Sequence, residues 1–260
     1  MSRHQSALTT VVLAYRDAYC ASWVQAFRCI ISFVTGVLLT TAVCAQQVQD
    51  PSPADPKPQE LSRDASRIYA GAKGSLFQVR ILTATGRSQA AAGSGFVVSS
   101  DGLAITNYHV VSKLVVDPSR YVAEAVSTAG ERDDITVLKI DVLHDLALIR
   151  INKRRDWPPL RISSRSLKQG ERLYSLGNPL DLGFAISEGS FNGLITRPYY
   201  PQILFSGAIN SGMSGGPAVD ESGEVVGVNV SKRLDGEQIS FLVPAQFVSL
   251  LIEQGAATTV

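Results

Sequence analysis

Between residues 76 and 244 the chain is a succession of short β-branched and apolar runs, each closed by Gly, Asn, Asp or Pro. LFQVRILTA (76–84) and ITVLKID (135–141) have the period-2 look of half-buried strands. GFVVSSDGLAIT (95–106) sets Asp101-Gly102 between two apolar runs, the strongest short hairpin signal a sequence can carry. RLYSLG, ILFSG, EVVGVNVS and ISFLVP continue the series at a strand-protein spacing. Only the end reads as helix, with Pro244 at a first-turn position, Phe247, Leu250 and Leu251 as its apolar face, and Gly255 as its stop. No repeat of 20 to 50 residues is visible. Many short strands and one late helix imply a sandwich or barrel, and two barrels suit roughly 200 residues better than one.

The segment before the strands has a different character. Ile30 to Val43 is an apolar run preceded by Arg28, shorter than the roughly 20 residues a bilayer span needs. It fits the apolar region of a signal peptide, and Val43-Cys44-Ala45 supplies small residues at a cleavage site before Gln46. Residues 1–45 are therefore expected to be a signal peptide, with an uncleaved anchor, a buried helix or, less favoured by Thr41-Ala42-Val43, acylation at Cys44 as alternatives. The stretch ahead of the run is long for such a signal, and a start nearer Val24 would give a more usual one. Residues 46–61 follow as a linker, holding four of the chain's 12 prolines, a density that no helix or central strand accommodates. The folded domain is expected over 62–260, on a protein that is secreted or periplasmic.

Composition excludes several functions. A net charge of +1 gives no footprint for nucleic acid or an anionic membrane. With 45% hydrophobic and 18% charged residues, the chain is globular and not disordered. All three cysteines, Cys20, Cys29 and Cys44, fall in the signal segment. The domain without it has no disulfide, no Cys-ligated zinc and no thiol nucleophile. No cluster of His and carboxylates has metal-ligand spacing, so neither metal nor cofactor is expected.

Chemistry concentrates in three residues. Ser214 lies in Asn210-Ser211-Gly212-Met213-Ser214-Gly215-Gly216-Pro217, where glycines permit a tight turn that exposes the hydroxyl and aims backbone N–H groups at a carbonyl. A Gly-rich turn with an incidental serine is the plainer reading of this stretch alone. GMSGG also matches the nucleophile elbow of α/β-hydrolases, but that order needs a histidine after the serine and none follows Ser214. A serine nucleophile requires a base, and outside the signal segment only His109 and His144 are available. His109 closes an apolar strand and opens an apolar turn, where it could face a cleft. His144 adjoins Asp145, so in an extended segment its ring would point away from that acid. His109 is the expected base. Asp145, at the head of the apolar run LALI, suits the buried acid that orients an imidazole. Asp133, Asp134 and Asp141 read as surface-loop or strand-end carboxylates. The order His, Asp, Ser is that of chymotrypsin and not that of subtilisin.

Gly93-Ser94-Gly95-Phe96-Val97-Val98, Thr106-Asn107-Tyr108-His109-Val110-Val111, Asp145-Leu146-Ala147-Leu148-Ile149, Gly177-Asn178-Pro179-Leu180 and Ala208 to Pro217 together resemble the HtrA/Deg-type trypsin-like serine proteases. The resemblance spans roughly residues 62 to 255. It implies an all-β, chymotrypsin-like fold of two antiparallel six-stranded barrels with a C-terminal α-helix and the active site between the barrels. It implies an oxyanion hole made by the backbone amides of Gly212 and Ser214, polypeptide substrates, and it admits a homotrimer. Three departures stand out. Met213 replaces the family's usual Asn, whose hydrogen-bonding groups it lacks. No PDZ domain follows before Val260, so PDZ-mediated recruitment is not expected. The loop between Asn192 and Phe205 is short. No Ile-Val-Gly-Gly terminus exists to make the ion pair of trypsinogen-like zymogens.

The same resemblance puts the base of the S1 pocket at Ala208, with walls from Ile209, Asn210, Ser211, Val230, Ser231, Lys232 and the stretch around Ile239 to Phe241. No acid occurs there, so a basic P1 side chain would be buried unpaired, and small or medium aliphatic residues are expected instead. An extended substrate would pair with the strand near Val230 to Lys232. The expected function is a serine endopeptidase acting on extended or unfolded polypeptide. The alternative is a protease-like peptide-binding module with little turnover.

Overall fold

The computed structural model describes residues 62–152, 157–196, 198–232 and 239–256. The expected signal peptide and linker lie outside them. Twelve strands among the described residues form two closed antiparallel barrels. The first comprises β1 (Leu76–Thr83), β2 (Gln89–Val97), β3 (Leu103–Thr106), β4 (Tyr121–Ser127), β5 (Arg132–Asp141) and β6 (Leu146–Ile151), in the order β1-β2-β3-β6-β5-β4. The second comprises β7 (Arg172–Gly177), β8 (Ala185–Ile195), β9 (Gln202–Phe205), β10 (Pro217–Val219), β11 (Val225–Lys232) and β12 (Ser240–Pro244). Its order, β7-β8-β9-β12-β11-β10, repeats that of the first. The two-barrel, chymotrypsin-like expectation holds.

The strand patterns explain the closure. Along β5 exposure alternates from Arg132 to Thr136, the signature of one wet and one dry face. β1 is buried on nearly every residue because its outer face is covered as well. Asp101-Gly102 turns the β2–β3 hairpin, with Val98 N–H donating to the Leu103 carbonyl at 2.8 Å. One apolar cluster fills barrel 1 (Phe77, Val79, Ile81, Val97, Ile149) and another fills barrel 2 (Leu173, Phe205, Ile209, Met213, Leu242). A third cluster joins the two, packing Leu76, Phe96, Leu146 and Leu148 against Tyr174, Leu176, Val228 and Val243.

Three α-helices are present among the described residues where the sequence suggests one. The first, α1 (Arg63–Ala72), is capped by Ser62, whose Oγ accepts from Ala65 N–H at 3.1 Å. It buries Ala65, Ile68 and Ala72 at helical spacing in the joining cluster. The second, α2 (Tyr108–Val116), is rich in valine and reads as strand or turn. It is helical because Val110 and Val111 pack into barrel 1, which outweighs a weak local preference. The last, α3 (Ala245–Ala256), begins after Pro244, which closes β12. It packs on β5 and β6 of one barrel and on β11 and β12 of the other. Ala245, Val248 and Leu251 are its buried residues, while Leu250 is exposed. Gly255 lies inside this helix and does not stop it. A Cβ there would meet Leu148 Cδ2 at 2.5 Å, so glycine allows the helix its close approach to barrel 1. No described helix is long and apolar enough to cross a membrane.

Candidate active site

Asp145 precedes β6 and has φ +54°, a left-handed conformation that Asp tolerates better than most residues. Hydrogen bonds hold it there. Its carbonyl accepts from Tyr108 N–H at 3.1 Å and from Asn107 Nδ2 at 2.8 Å. Its carboxylate is divided between two tasks. Oδ1 accepts from the backbone N–H of His109 at 2.9 Å, and Oδ2 lies 2.7 Å from His109 Nδ1. The first turn of a helix has N–H groups without intrahelical partners and a partial positive charge. Asp145 satisfies two of those groups in α2 and fixes the ring that the same turn carries. The carboxylate is 22% exposed and the imidazole 49% exposed, so the pair is set in the wall with its outer edge open.

Ser214 belongs to the loop between β9 and β10 in barrel 2. Most of the carbonyls around it are engaged. Met213 N–H donates to Asn210 O at 3.0 Å, and Met213 O accepts from Gly216 N–H at 3.0 Å and from Asn229 Nδ2 at 3.2 Å. Gly212 O accepts from Ser94 Oγ at 2.7 Å, and Ser214 O accepts from Ser94 N–H at 2.7 Å. Gly215 has φ +84°, and a Cβ on it would come within 2.3 Å of Ser94 O, so no other residue fits. Among the described residues, the amides of Gly212 and Ser214 donate to no backbone carbonyl. Met213, 2% exposed, packs into barrel 2, and its sulfur lies 3.5 Å from Asn210 N–H as a weak acceptor. The substitution that separates it from the family's usual Asn therefore anchors the loop through burial.

The Ser214 hydroxyl donates to the carbonyl of Val230 at 2.8 Å. Val230 falls at a register shift in β11, where Asn229 faces Leu242 and Ser231 already faces Phe241. The bulge leaves Val230 outside the β12 ladder and turns its carbonyl toward the loop.

Of the residues assigned to S1, Ala208 and Asn210 are exposed, and Val230 is half-buried. Ile209 is buried in the barrel 2 cluster, its N–H donating to Ser240 Oγ at 3.2 Å. Ser231 and Lys232 pair with Phe241 and Ser240, and their side chains lie outside the described part. His144 lies in the turn between β5 and β6, not in an extended segment, and its ring pairs with Asp141 at 2.6 Å and not with Asp145. It stacks on Phe247 of α3 with 3.9 Å between ring centres. Asp141 is thereby engaged elsewhere. Asp133 does not sit in a surface loop: it lies on β5 opposite Ala125 and is buried. Sequence reasoning gave no role to Ser94, Asn107 or Asn229, because an isolated polar residue in or beside a strand carries no pattern. No group of three or more His, Cys, Asp and Glu among the described residues could hold a metal.

Residues 93–228 match the family model of the trypsin-like peptidase domain, a span that includes His109, Asp145 and Ser214. The chain is 35% identical over 179 residues to the probable periplasmic serine endoprotease DegP-like of Brucella suis biovar 1 (strain 1330), covering 64% of this chain and 34% of that protein. It is 34% identical to the mitochondrial serine protease HTRA2 of Bos taurus, covering 63% of this chain and 36% of the relative. The chain thus spans about a third of the length of the curated relatives it matches. A crystal structure of the serine endoprotease from Yersinia pestis superposes with a TM-score of 0.65 at 22% identity, over 76% of this chain and 69% of that one. That likeness concerns the fold, whereas the match across 93–228 establishes descent: this chain belongs to the trypsin-like peptidase domain family.

Proposed function

We propose that the protein is a serine endopeptidase in which Ser214 is the nucleophile, His109 the general base and Asp145 the acid that orients it. One observation carries this reading. Asp145 holds both the ring and the backbone of His109, which fixes Nδ1 as the protonated nitrogen and leaves Nε2 free to accept. The Ser214 hydroxyl turns from the Val230 carbonyl to His109 and gives its proton to Nε2 as Oγ bonds to the scissile carbonyl carbon. The carbonyl oxygen becomes an oxyanion, which the amides of Gly212 and Ser214 stabilise. His109 then passes the proton to the departing amine, and the C–N bond breaks to leave an acyl-enzyme. Water, deprotonated by the same nitrogen, hydrolyses the ester and restores Ser214.

The substrate class follows from β11. An extended polypeptide laid along Val230–Lys232 adds a strand and binds through its backbone. A substrate N–H addressing the Val230 carbonyl competes with the Ser214 hydroxyl, so seating the substrate helps to release the nucleophile. The names of the Brucella relatives include the word periplasmic, which agrees with export by the apolar segment 30–43.

The hydroxyl's position on Val230 also gives a specific reason to consider a peptide-binding module with little turnover. Reaction with a fluorophosphonate probe separates the two readings. Covalent labelling mapped to Ser214 supports the peptidase, and an unlabelled protein that still binds casein supports the module.

A further inference from the structure

Ser94 sits on β2 in barrel 1, is 1% exposed, and meets barrel 2 at three atoms. Its hydroxyl donates to Gly212 O at 2.7 Å and accepts from Asn178 N–H at 2.9 Å. Its backbone N–H donates to Ser214 O at 2.7 Å, while Thr106 Oγ1 ties its own carbonyl to β3 at 2.7 Å. The hydroxyl's proton is thus committed to one loop of the second barrel and a lone pair to another.

The recipient of that proton matters. Gly212 O and Met213 N–H belong to one peptide plane, and its far side is held by Asn210 O at 3.0 Å. The amides of Gly212 and Ser214 lie on the peptide planes immediately before and after it. The relative aim of those two amides therefore depends on the angle of the plane between them. Gly212 has φ +92° and no side chain, so sterics fix that angle poorly. Hydrogen bonds must do so.

We propose that Ser94 is a positioning residue for the oxyanion-binding loop, its hydroxyl fixing from the opposite barrel the Gly212–Met213 peptide that joins the two amide donors. The inference rests on the endopeptidase reading above. The junction has no slack. A Cβ on Gly177 would come within 2.8 Å of Met213 Cα and 3.1 Å of Ser94 Oγ. A hole the size of one hydroxyl oxygen is too small for water to take over both bonds. Removing the hydroxyl leaves Gly212 O free to rotate in search of a donor, and the two amides lose their convergence. The loss falls on the transition state, because only there does the carbonyl oxygen carry the charge those amides meet.

The test compares the unaltered chain, Ser94→Ala and Gln78→Ala. Gln78, itself buried, makes a different, part-buried link between the barrels, donating to Asp181 Oδ1 at 2.6 Å away from the Ser214 loop. Fluorophosphonate labelling rate, thermal midpoint, and affinity for casein in a Ser214→Ala background are measured well below every midpoint. Ser94→Ala should slow labelling on the order of 10²-fold, as misplacement or loss of an oxyanion donor does, with casein affinity unchanged. Gln78→Ala should lower the midpoint but leave labelling within about two-fold. Where Ser94→Ala does not fold, Ser94→Cys fills the site with a weaker donor and should show the same loss at smaller size. Equal labelling of Ser94→Ala and the unaltered chain, or an equal drop in Gln78→Ala, overturns the role of Ser94. Absence of labelling in the unaltered chain overturns the endopeptidase reading itself, and the Ser94 proposal with it.

Discussion

The two barrels share one strand order but deliver their parts of the site in different states of readiness. Barrel 1 presents His109 and Asp145 already joined, through the ring and through the first turn of α2. Barrel 2 presents Ser214 on a loop whose carbonyls are nearly all engaged, yet whose hydroxyl rests on the bulged carbonyl of Val230. The difference has a physical origin. An aspartate at a helix start is held by charge and by two orphan amides at once, one on its carboxylate and one on its carbonyl. A serine hydroxyl has only a single rotor and takes whichever acceptor is nearest. On the proposed reading, the rigid half would set the direction of proton transfer and the adjustable half would decide when it begins.

Removing the adjustable half should have the largest effect. Ser214→Ala is expected to lower turnover by about 10⁶-fold, the scale of losing a triad nucleophile, with the thermal midpoint nearly unchanged because the side chain packs against little. Hydrolysis of labelled casein measures it, and near-normal turnover would move the chemistry to another residue. The rigid half should be next. Asp145→Asn is expected to cost about 10⁴ in turnover, the loss known for this replacement in a chymotrypsin-type triad, since an amide favours the wrong imidazole tautomer. It should also destabilise the start of α2, which Ser214→Ala leaves alone. A full rate in Asp145→Asn would show that the pairing is structural only.

Two carboxylates, one from each barrel, also differ in how their charge is held. In barrel 2, Asp220 is buried between β10 and β11. Burial pushes its carboxyl up, but bonds from Ser222, Arg165 and the Glu224 amide more than offset this and leave it below the usual range. Glu171 is lowered as well, first by its bond from the same Arg165 and against some burial. Carboxylates depressed in the folded state stabilise it above their unfolded value of about 4, and that stability is lost as acid protonates them. In barrel 1, Asp101 is lowered by Ser99 and Arg150, but on an exposed turn. Asp220→Asn should therefore cost about 2 kcal/mol at neutral pH and flatten the acid limb of a urea-stability profile. Asp101→Asn should stay within about 0.5 kcal/mol. Equal losses at the two sites would erase this contrast.

Most of barrel 1's contribution is legible in the sequence. His109 and Asp145 stand in apolar settings, in chymotrypsin order, and only two histidines were available. The helix that carries His109 is not legible, because YHVVSKLVV is β-branched and becomes helical through the packing of Val110 and Val111. Asp145's second task was hidden for the same reason, as it needs a helix start to cap. In barrel 2 the Gly-rich loop marks Ser214, but the bulge at Val230 leaves no mark in EVVGVNVS. Ser94 was visible only as part of a motif. Its partners, Gly212 and Asn178, lie 118 and 84 residues away in the chain.

The smallest expected effect concerns barrel 2 alone, since the pocket for the P1 side chain is assigned to its strands. Ala208, Ile209, Asn210 and Val230 include no acid, so a P1 Lys or Arg would lose hydration without gaining a partner. Ile209 is drawn into the barrel core with its amide on Ser240, so on this assignment it would pack beneath the pocket and not stand across it. Val230 is half-buried and carries the bulge, so on the same assignment its side chain would offer the apolar wall that remains. An apolar site of this kind distinguishes residues by a methylene or two, about 1–3 kcal/mol and often less. Val, Ala and Leu should thus lead at P1, by roughly ten-fold over Lys or Arg in kcat/KM. A P1-varied peptide library read by mass spectrometry measures the ratio. Widening the site with Val230→Ala should shift preference toward Leu and Phe while the His109–Asp145 pair, across the cleft in barrel 1, keeps its pH profile. Dominant cleavage after Arg or Lys would place the pocket elsewhere in barrel 2. A changed pH profile in Val230→Ala would show instead that the two halves are not separable, and that the Val230 carbonyl governs proton transfer as well as substrate fit.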